Sequence, residues 1–151
     1  AAMELIASDY SMTKKYDFRS IGIVREYQEG VPPILCEKSE IQQVFLNILK
    51  NGAEAMTAAG VGAPQYIIRY FQLADQVIVE IEDNGPGIDQ RTKKRIFEPF
   101  FTTKPIGEGL GLGLPIVRSI VHDLGGTIRV SSRPGYTCFS VTLPLIRQSE
   151  E

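Results

Sequence analysis

Three groups of residues have the types and spacing to do chemistry. The first is the stretch from Phe97 to Val117, FEPFFTTKPIGEGLGLGLPIV, in which Gly107, Gly109, Gly111 and Gly113 alternate with other residues. Thr102, Thr103 and Lys104 lie upstream, and Pro115 follows two residues after the last glycine. Pro115 suits the first turn of a helix, where a missing N–H costs little. The first N–H groups of such a helix are unpaired and carry a partial positive charge, and glycines let an anion come close to them. Two prolines precede the glycines and no Gly-Lys-Ser/Thr occurs, so neither a dinucleotide-binding loop directly after a strand nor a P-loop is present. A phosphate-binding loop and a flexible connector both stay open on this stretch alone.

The second group is SEIQQVFLNILKNGAEAM. Asn47 and Asn51 are four apart and share one helical face, with Gln43 and Glu54 near the same stripe. Asn is a poor helix former, so two in mid-helix cost stability against Ala or Lys. A carboxamide oxygen can ligate a hard cation such as Mg²⁺, which keeps waters and takes phosphate oxygens as well. The plainer alternative is a solvated polar face. The third group is IEDNGPGI, where a strand ends in Asp83 and a Gly-Pro-Gly turn follows. A carboxylate there, beside backbone that glycine lets come close, suits an exocyclic amine on a flat base. A plain turn after a strand is the simpler reading.

These groups need elements to hold them. FRSIGIVREY alternates as a strand, and GVPP breaks it. Ser39 with Gln42 three residues on has the form of a capping box. Ile41, Val44, Phe45, Ile48, Leu49 and Met56 then recur at helical spacing to about Ala58. QYIIRYFQL and QVIVEIED read as a hairpin turning at Ala74-Asp75, rich in β-branched and aromatic residues. DQRTKKRIF predicts a short helix, residues 99–110 a loop, and GLPIVRSIVHDL a helix closed by Gly125-Gly126. TIRVSS and TCFSVTLPL are two last strands joined at Pro134-Gly135, and residues 1–16 predict a helical lead-in. The order predicts an α/β sandwich of two layers and not a doubly wound parallel sheet.

The bulk properties narrow the classes. A chain of 151 residues is one domain with room for a core. Net charge is −2, so nothing indicates general affinity for nucleic acid or membrane, although a local basic site is not excluded. Two cysteines, Cys36 and Cys138, make no disulfide framework and fit a reducing compartment. One histidine, His122, removes most zinc sites. No apolar run is long enough to span a bilayer, and no signal peptide is visible. The opening AAMEL lacks an initiator Met, so a processed chain or an excised fragment is expected.

The succession of an Asn-bearing helix, Asp-x-Gly-x-Gly, IFEPFFTTK and a glycine loop opening a helix resembles the ATP-binding catalytic domain of sensor histidine kinases. That family lies in the superfamily of gyrase, heat-shock chaperone and mismatch-repair ATPases, and FFTTKPIGEG is most similar to its nitrogen-regulator and PAS-linked branch. The resemblance covers about residues 18–145. It implies the two-layer sandwich called the Bergerat fold, a mixed, mostly antiparallel sheet under three helices with an ATP lid. It implies ATP and Mg²⁺ as the bound species, with Asn51 on the metal and Asn47 near the phosphates. Asp83 would accept from the adenine amine, with Gly85, Gly87 and Ile88 in its box. Phe97, Phe100 and Phe101 would anchor the lid. Thr102, Thr103 and Lys104 would lie at the nucleotide, Lys104 as a phosphate contact. Gly109, Leu110, Gly111, Leu112, Gly113 and Leu114 would form the second glycine box, and Thr137 would help fix the adenine.

The resemblance further implies a protein-histidine kinase domain that donates the γ-phosphate to a His on a separate dimerisation hairpin. Superfamily hydrolases carry a Glu where Asn47 stands, and an amide cannot act as that general base, so transfer is expected over rapid hydrolysis. Expected partners are ATP, the phosphoacceptor hairpin of the parent kinase and a downstream response regulator, with no nucleic acid. The fragment is expected to be monomeric and cytoplasmic, the parent a homodimer whose membrane anchoring stays open. Residues 1–16 would be the connector from that hairpin, 17–147 the catalytic domain and 148–151 a tail. The lid at 99–110 is expected to be mobile, being rich in glycine and proline. Departures are Gly52 where Ala is usual, which should loosen the helix by roughly 1 kcal/mol, Leu110 where a small hydroxyl residue is common, Glu54 where several relatives place a base that touches phosphate, and PGYT, one residue short of the usual glycine pattern. Gly52 and Leu110 keep a second reading alive, a nucleotide-binding module that no longer transfers phosphate.

Overall fold

A computed structural model describes residues 20–32, 34, 36–99, 101 and 113–145. The elements run β1 (Gly22–Tyr27), α1 (Lys38–Ala58), β2 (Gln65–Leu73), β3 (Gln76–Asp83), α2 (Gln90–Lys93), α3 (Gly113–Asp123), β4 (Thr127–Arg133) and β5 (Tyr136–Pro144). The strands form one mixed sheet in the order β1-β2-β3-β5-β4. β1 runs parallel to β2, and the other pairings are antiparallel. This is the two-layer sandwich expected from the sequence. The helical lead-in expected at 1–16 lies outside the described residues.

Strand parity decides which face the helices cover. Tyr66, Ile68, Val77, Val79, Ile81, Phe139, Val141 and Leu143 are buried. The registers put them on one face, with Ile128 and Val130 of β4 beside them. α1 packs there through Val44, Ile48, Leu49, Gly52, Ala53 and Met56, and α3 through Leu114, Val117 and Val121. Both sets recur at three or four residues, the spacing that makes one apolar stripe. The opposite face carries a charge cluster, in which Arg69 reaches Glu82 at 3.0 Å and Glu26 and Glu80 at 3.6 Å.

The ends of the elements follow local chemistry. α3 closes as a Schellman motif, with Gly126 N–H donating to Val121 O and Gly125 N–H to His122 O, both at 2.9 Å. Gly125 takes the left-handed conformation this requires, φ 80°. The β2–β3 hairpin turns at Ala74-Asp75 as expected, with Leu73 opposite Gln76. The β4–β5 hairpin turns in two residues, Pro134 and Gly135, which accounts for the shortness of PGYT.

Three boundaries differ from the expectations. The capping box at Ser39 does not form: Glu37 is the N-cap, without a side-chain bond, and Ser39 lies inside the first turn. The extended Glu37 already places its carbonyl to accept from Ile41 N–H at 3.1 Å, so the helix begins at Lys38, one residue before Ser39. α2 holds only Gln90–Lys93, capped by Asp89 Oδ1 on Thr92 N–H at 2.7 Å, and gives way to turns before Phe97. β1 starts at Gly22, where Gly22 N–H donates to Pro64 O, and spans a shorter stretch than FRSIGIVREY.

The packing orders the cost of truncations. Ile48→Ala, at 1% exposure, is expected to cost about 2–5 kcal/mol. Leu73→Ala, at 59% exposure on the hairpin end, should stay within about 0.5 kcal/mol. Urea midpoints measure both, and equal shifts would contradict the assignment of the core.

Candidate functional site

The apolar face of the sheet ends in a polar row. Asp83 on β3 is opposite Tyr66 on β2 and Thr137 on β5, and Thr137 is opposite Ser132 on β4. One line across four strands therefore carries Tyr66, Asp83, Thr137 and Ser132. Asp83 and Thr137 are the buried polar or charged residues among those described, at 5% and 4% exposure. A carboxylate so placed needs partners. Asp83 Oδ1 accepts from Gly85 N–H at 2.9 Å. Burial raises the Asp83 pKa to about 6, against the lowering by the Gly85 bond and with a smaller push from Glu82.

The turn after Asp83 is pinned to its surroundings. Asn84 Oδ1 accepts from Gln65 N–H at 2.9 Å, and its Nδ2 donates to Ala63 O at 2.8 Å. Ile88 N–H donates to Ser132 Oγ at 2.7 Å, and Gly135 N–H to Pro86 O at 3.3 Å. Ser132 Oγ donates to Tyr136 O and is hydrogen-bonded to Thr137 Oγ1, both at 3.0 Å. Ser132 is thus a hub joining the Gly-Pro-Gly turn to the β4–β5 hairpin and to Thr137. Gly87 sits at φ 88°, and a Cβ there would lie 2.3 Å from Arg133 O. Only glycine meets both conditions.

α1 passes over this end of the sheet. Asn47 and Asn51 are half-buried one turn apart, and Asn47 Nδ2 donates to Gly113 O across a long 3.4 Å. That contact ties the Asn-bearing face to the start of α3, whose first turn holds buried Leu114 and half-buried Pro115. Phe97 and Phe101 pack against the core edge, with Arg118 over the Phe97 ring and Arg95 over the Phe101 ring. The structure therefore brings together Asn47, Asn51, Asp83, Gly85, Gly87, Ile88, Gly113, Leu114 and Thr137, with Phe97 at the edge. Phe100, Thr102, Thr103, Lys104, Gly109, Leu110, Gly111 and Leu112, and with them most of the lid, lie outside the described residues. His122 is exposed in the last turn of α3.

Sequence reasoning missed Tyr66 and Ser132. The signal was parity: each is the polar member that continues an inward alternation, Tyr66 before Ile68, and Ser132 after Ile128 and Val130.

Comparison with known proteins decides the family. The profile of the family described as "Histidine kinase-, DNA gyrase B-, and HSP90-like ATPase" matches residues 36–147. The chain belongs to that family. Among sequence relatives, the signal transduction histidine-protein kinase AtoS of Escherichia coli (strain K12) is 40% identical over 133 residues, covering 87% of this chain and 21% of AtoS. The sensory histidine kinase/phosphatase NtrB of Azospirillum brasilense is 34% identical over 143 residues, covering 87% of this chain and 35% of NtrB. The solved catalytic domain of histidine kinase ThkA superposes with a TM-score of 0.75 at 30% identity, covering 94% of this chain and 92% of that one. The chain thus matches an ATP-binding histidine kinase catalytic domain almost end to end, and spans about a fifth to a third of the two full-length relatives. The expected resemblance, including its nitrogen-regulator flavour, is borne out.

The buried carboxylate makes stability depend on pH. Its folded pKa lies above its ordinary value of 3.8, so the folded chain binds the proton more tightly. Stability is then expected to fall as pH rises from about 4 to 6, by roughly 3 kcal/mol, and to stay level above. Asp83→Asn, which keeps an acceptor for Gly85 but cannot ionise, should remove this slope from urea midpoints measured across that window. An unchanged slope would assign it to other groups.

Proposed function

We propose that this domain binds Mg-ATP at the polar end of the sheet and presents its γ-phosphate to a histidine on a separate dimerisation hairpin of the parent kinase. The observation that carries this reading is the row itself. A buried carboxylate and a buried hydroxyl close an otherwise apolar face, directly under the Asn-bearing helix and beside the start of α3. Asp83 would accept from the adenine exocyclic amine, and Thr137, fixed by Ser132, would stand next to it. The ring would lie in the space bounded by the Gly85–Ile88 turn and α1. The α3 N-terminus, with its unpaired N–H groups, would face the phosphates, as would Lys104 and the lid residues Thr102 and Thr103.

The donor chemistry fits magnesium in one form only. No group of three or more His, Cys, Asp or Glu able to hold a metal exists among the described residues. A half-buried amide such as Asn51 is then a sufficient protein ligand only for an ion that brings its own waters and nucleotide oxygens, which is the habit of Mg²⁺. Bound there, the ion would neutralise phosphate charge. Asn47 offers an amide and no carboxylate, so this position supplies no base to activate water. The chain would hold ATP in place, and the acceptor imidazole nitrogen would form the new N–P bond as the β–γ bridging oxygen leaves with ADP. The acceptor hairpin, its response regulator, and the homodimeric parent belong to this same reading. No helix among the described residues is long and apolar enough to cross a membrane.

Calorimetric titration with a non-hydrolysable ATP analogue tests the pocket. Binding should strengthen with Mg²⁺ in the wild type and lose that gain in Asn51→Ala. Affinity should also fall as pH drops through about 6, because protonated Asp83 is a poorer acceptor for an amine, and Asp83→Asn should flatten that part of the profile. Absence of binding to the wild type would leave the fold as a scaffold. For the transfer step, the domain joined to a histidine-bearing hairpin should label that histidine from γ-labelled ATP. Failure there, with binding intact, would make the chain a nucleotide-binding module.

A further inference from the structure

Gly52 is the one glycine inside α1, in a buried position of a 21-residue helix. Glycine is unfavourable there by propensity, so its presence calls for a reason in the packing. A Cβ at Gly52 would lie 2.9 Å from both Cε1 and the hydroxyl of Tyr66, and 3.0 Å from Asp83 Oδ2. Real Cβ atoms keep further away, so an added methyl forces one of these groups to move. The Tyr66 ring is fully buried, and its hydroxyl donates to Leu49 O of α1. Burial, with the facing Asp83 carboxylate second, pushes the Tyr66 pKa up, so the group stays a protonated donor. Asp83 is held on its other side by Gly85, where a Cβ would come within 2.8 Å of Oδ1.

We propose that Gly52 and Tyr66 act as a matched pair of positioning residues that set where the Asp83 carboxylate stands, and hence how well the site distinguishes a purine bearing an exocyclic amine from one without it. The Tyr66 ring fills the space that a side chain at position 52 would take, and its hydroxyl also meets the Leu49 carbonyl. The missing side chain at position 52 lets the helix settle onto the ring and onto Oδ2 together. Asp83 is thereby clamped between two glycines, one on the helix and one in the turn. The Gly85 N–H holds Oδ1 on one flank, and the bare backbone at Gly52 lies close to Oδ2 on the other. This rests on the reading that Asp83 meets the adenine amine, and it adds the residues that hold Asp83 in place.

The test compares ATP with purine riboside triphosphate, which lacks only the exocyclic amine, in the wild type, Gly52→Ala and Gly52→Ala/Tyr66→Ile. The wild type should favour ATP by about tenfold or more, the scale of a hydrogen bond to a charged group. Gly52→Ala should lose most of that preference while its affinity for the amine-free nucleotide changes by less than about threefold. The double variant, in which the smaller Ile makes room for the new methyl, should recover the preference. Equal weakening for both nucleotides in Gly52→Ala, or a double variant that folds without regaining the preference, would overturn the pairing. If Gly52→Ala alone does not fold, recovery of both folding and preference in the double variant supports it still. A wild type that binds both nucleotides equally overturns the adenine reading first, and the inference with it.

Discussion

Everything at this site depends on keeping one carboxylate out of water. Burying an ionisable group is expensive unless charge or hydrogen bonds compensate. Here the Gly85 N–H offsets part of the cost, while burial still pushes the Asp83 pKa up. The surroundings are arranged to bear that cost. The strand behind Asp83 is paired on both sides, Thr137 stands opposite, and the turn in front is tied down by Ser132 and Asn84. A carboxylate buried in this way gains from any further donor that reaches it. On the proposed reading, the adenine amine is that donor.

The sheet elements were legible because their signals are local. β2 and β3 alternate in burial along QYIIRYFQL and QVIVEIED, and the turn between them falls where the polar residues do. The stripe of α1 and the Gly-Gly end of α3 follow equally local rules. Asp83 was found through its neighbours Gly85 and Gly87. The polar row was not found, because a row is a property of register. Tyr66 and Ser132 are 66 positions apart in the chain and meet the same line only through two intervening strands. The capping box failed for the opposite reason. Its sequence form is local, but the extended Glu37 starts the helix upstream and leaves Ser39 inside the first turn.

Gly52 shows how a propensity argument can have the right sign and the wrong meaning. Taken alone it loosens a helix, and a loosened helix beside Asn51 reads as a weakened site. In the fold it is a point of close approach between α1 and the row, where any side chain would strike Tyr66 and Asp83. The local cost is exchanged for a contact between helix and sheet that Ala would not permit.

The same helix carries Asn47 and Asn51 on one side of that contact and packs on Asp83 through Gly52 on the other. α1 is one uninterrupted helix, so the separation between the amide groups and the carboxylate follows from where Gly52 lands on the sheet. Asn47 extends this frame to the start of α3 through Gly113 O. A nucleotide held by its base at one end and its phosphates at the other has to match that separation. The frame is therefore set by core packing, with the contact between Gly52 and Tyr66 as its pivot.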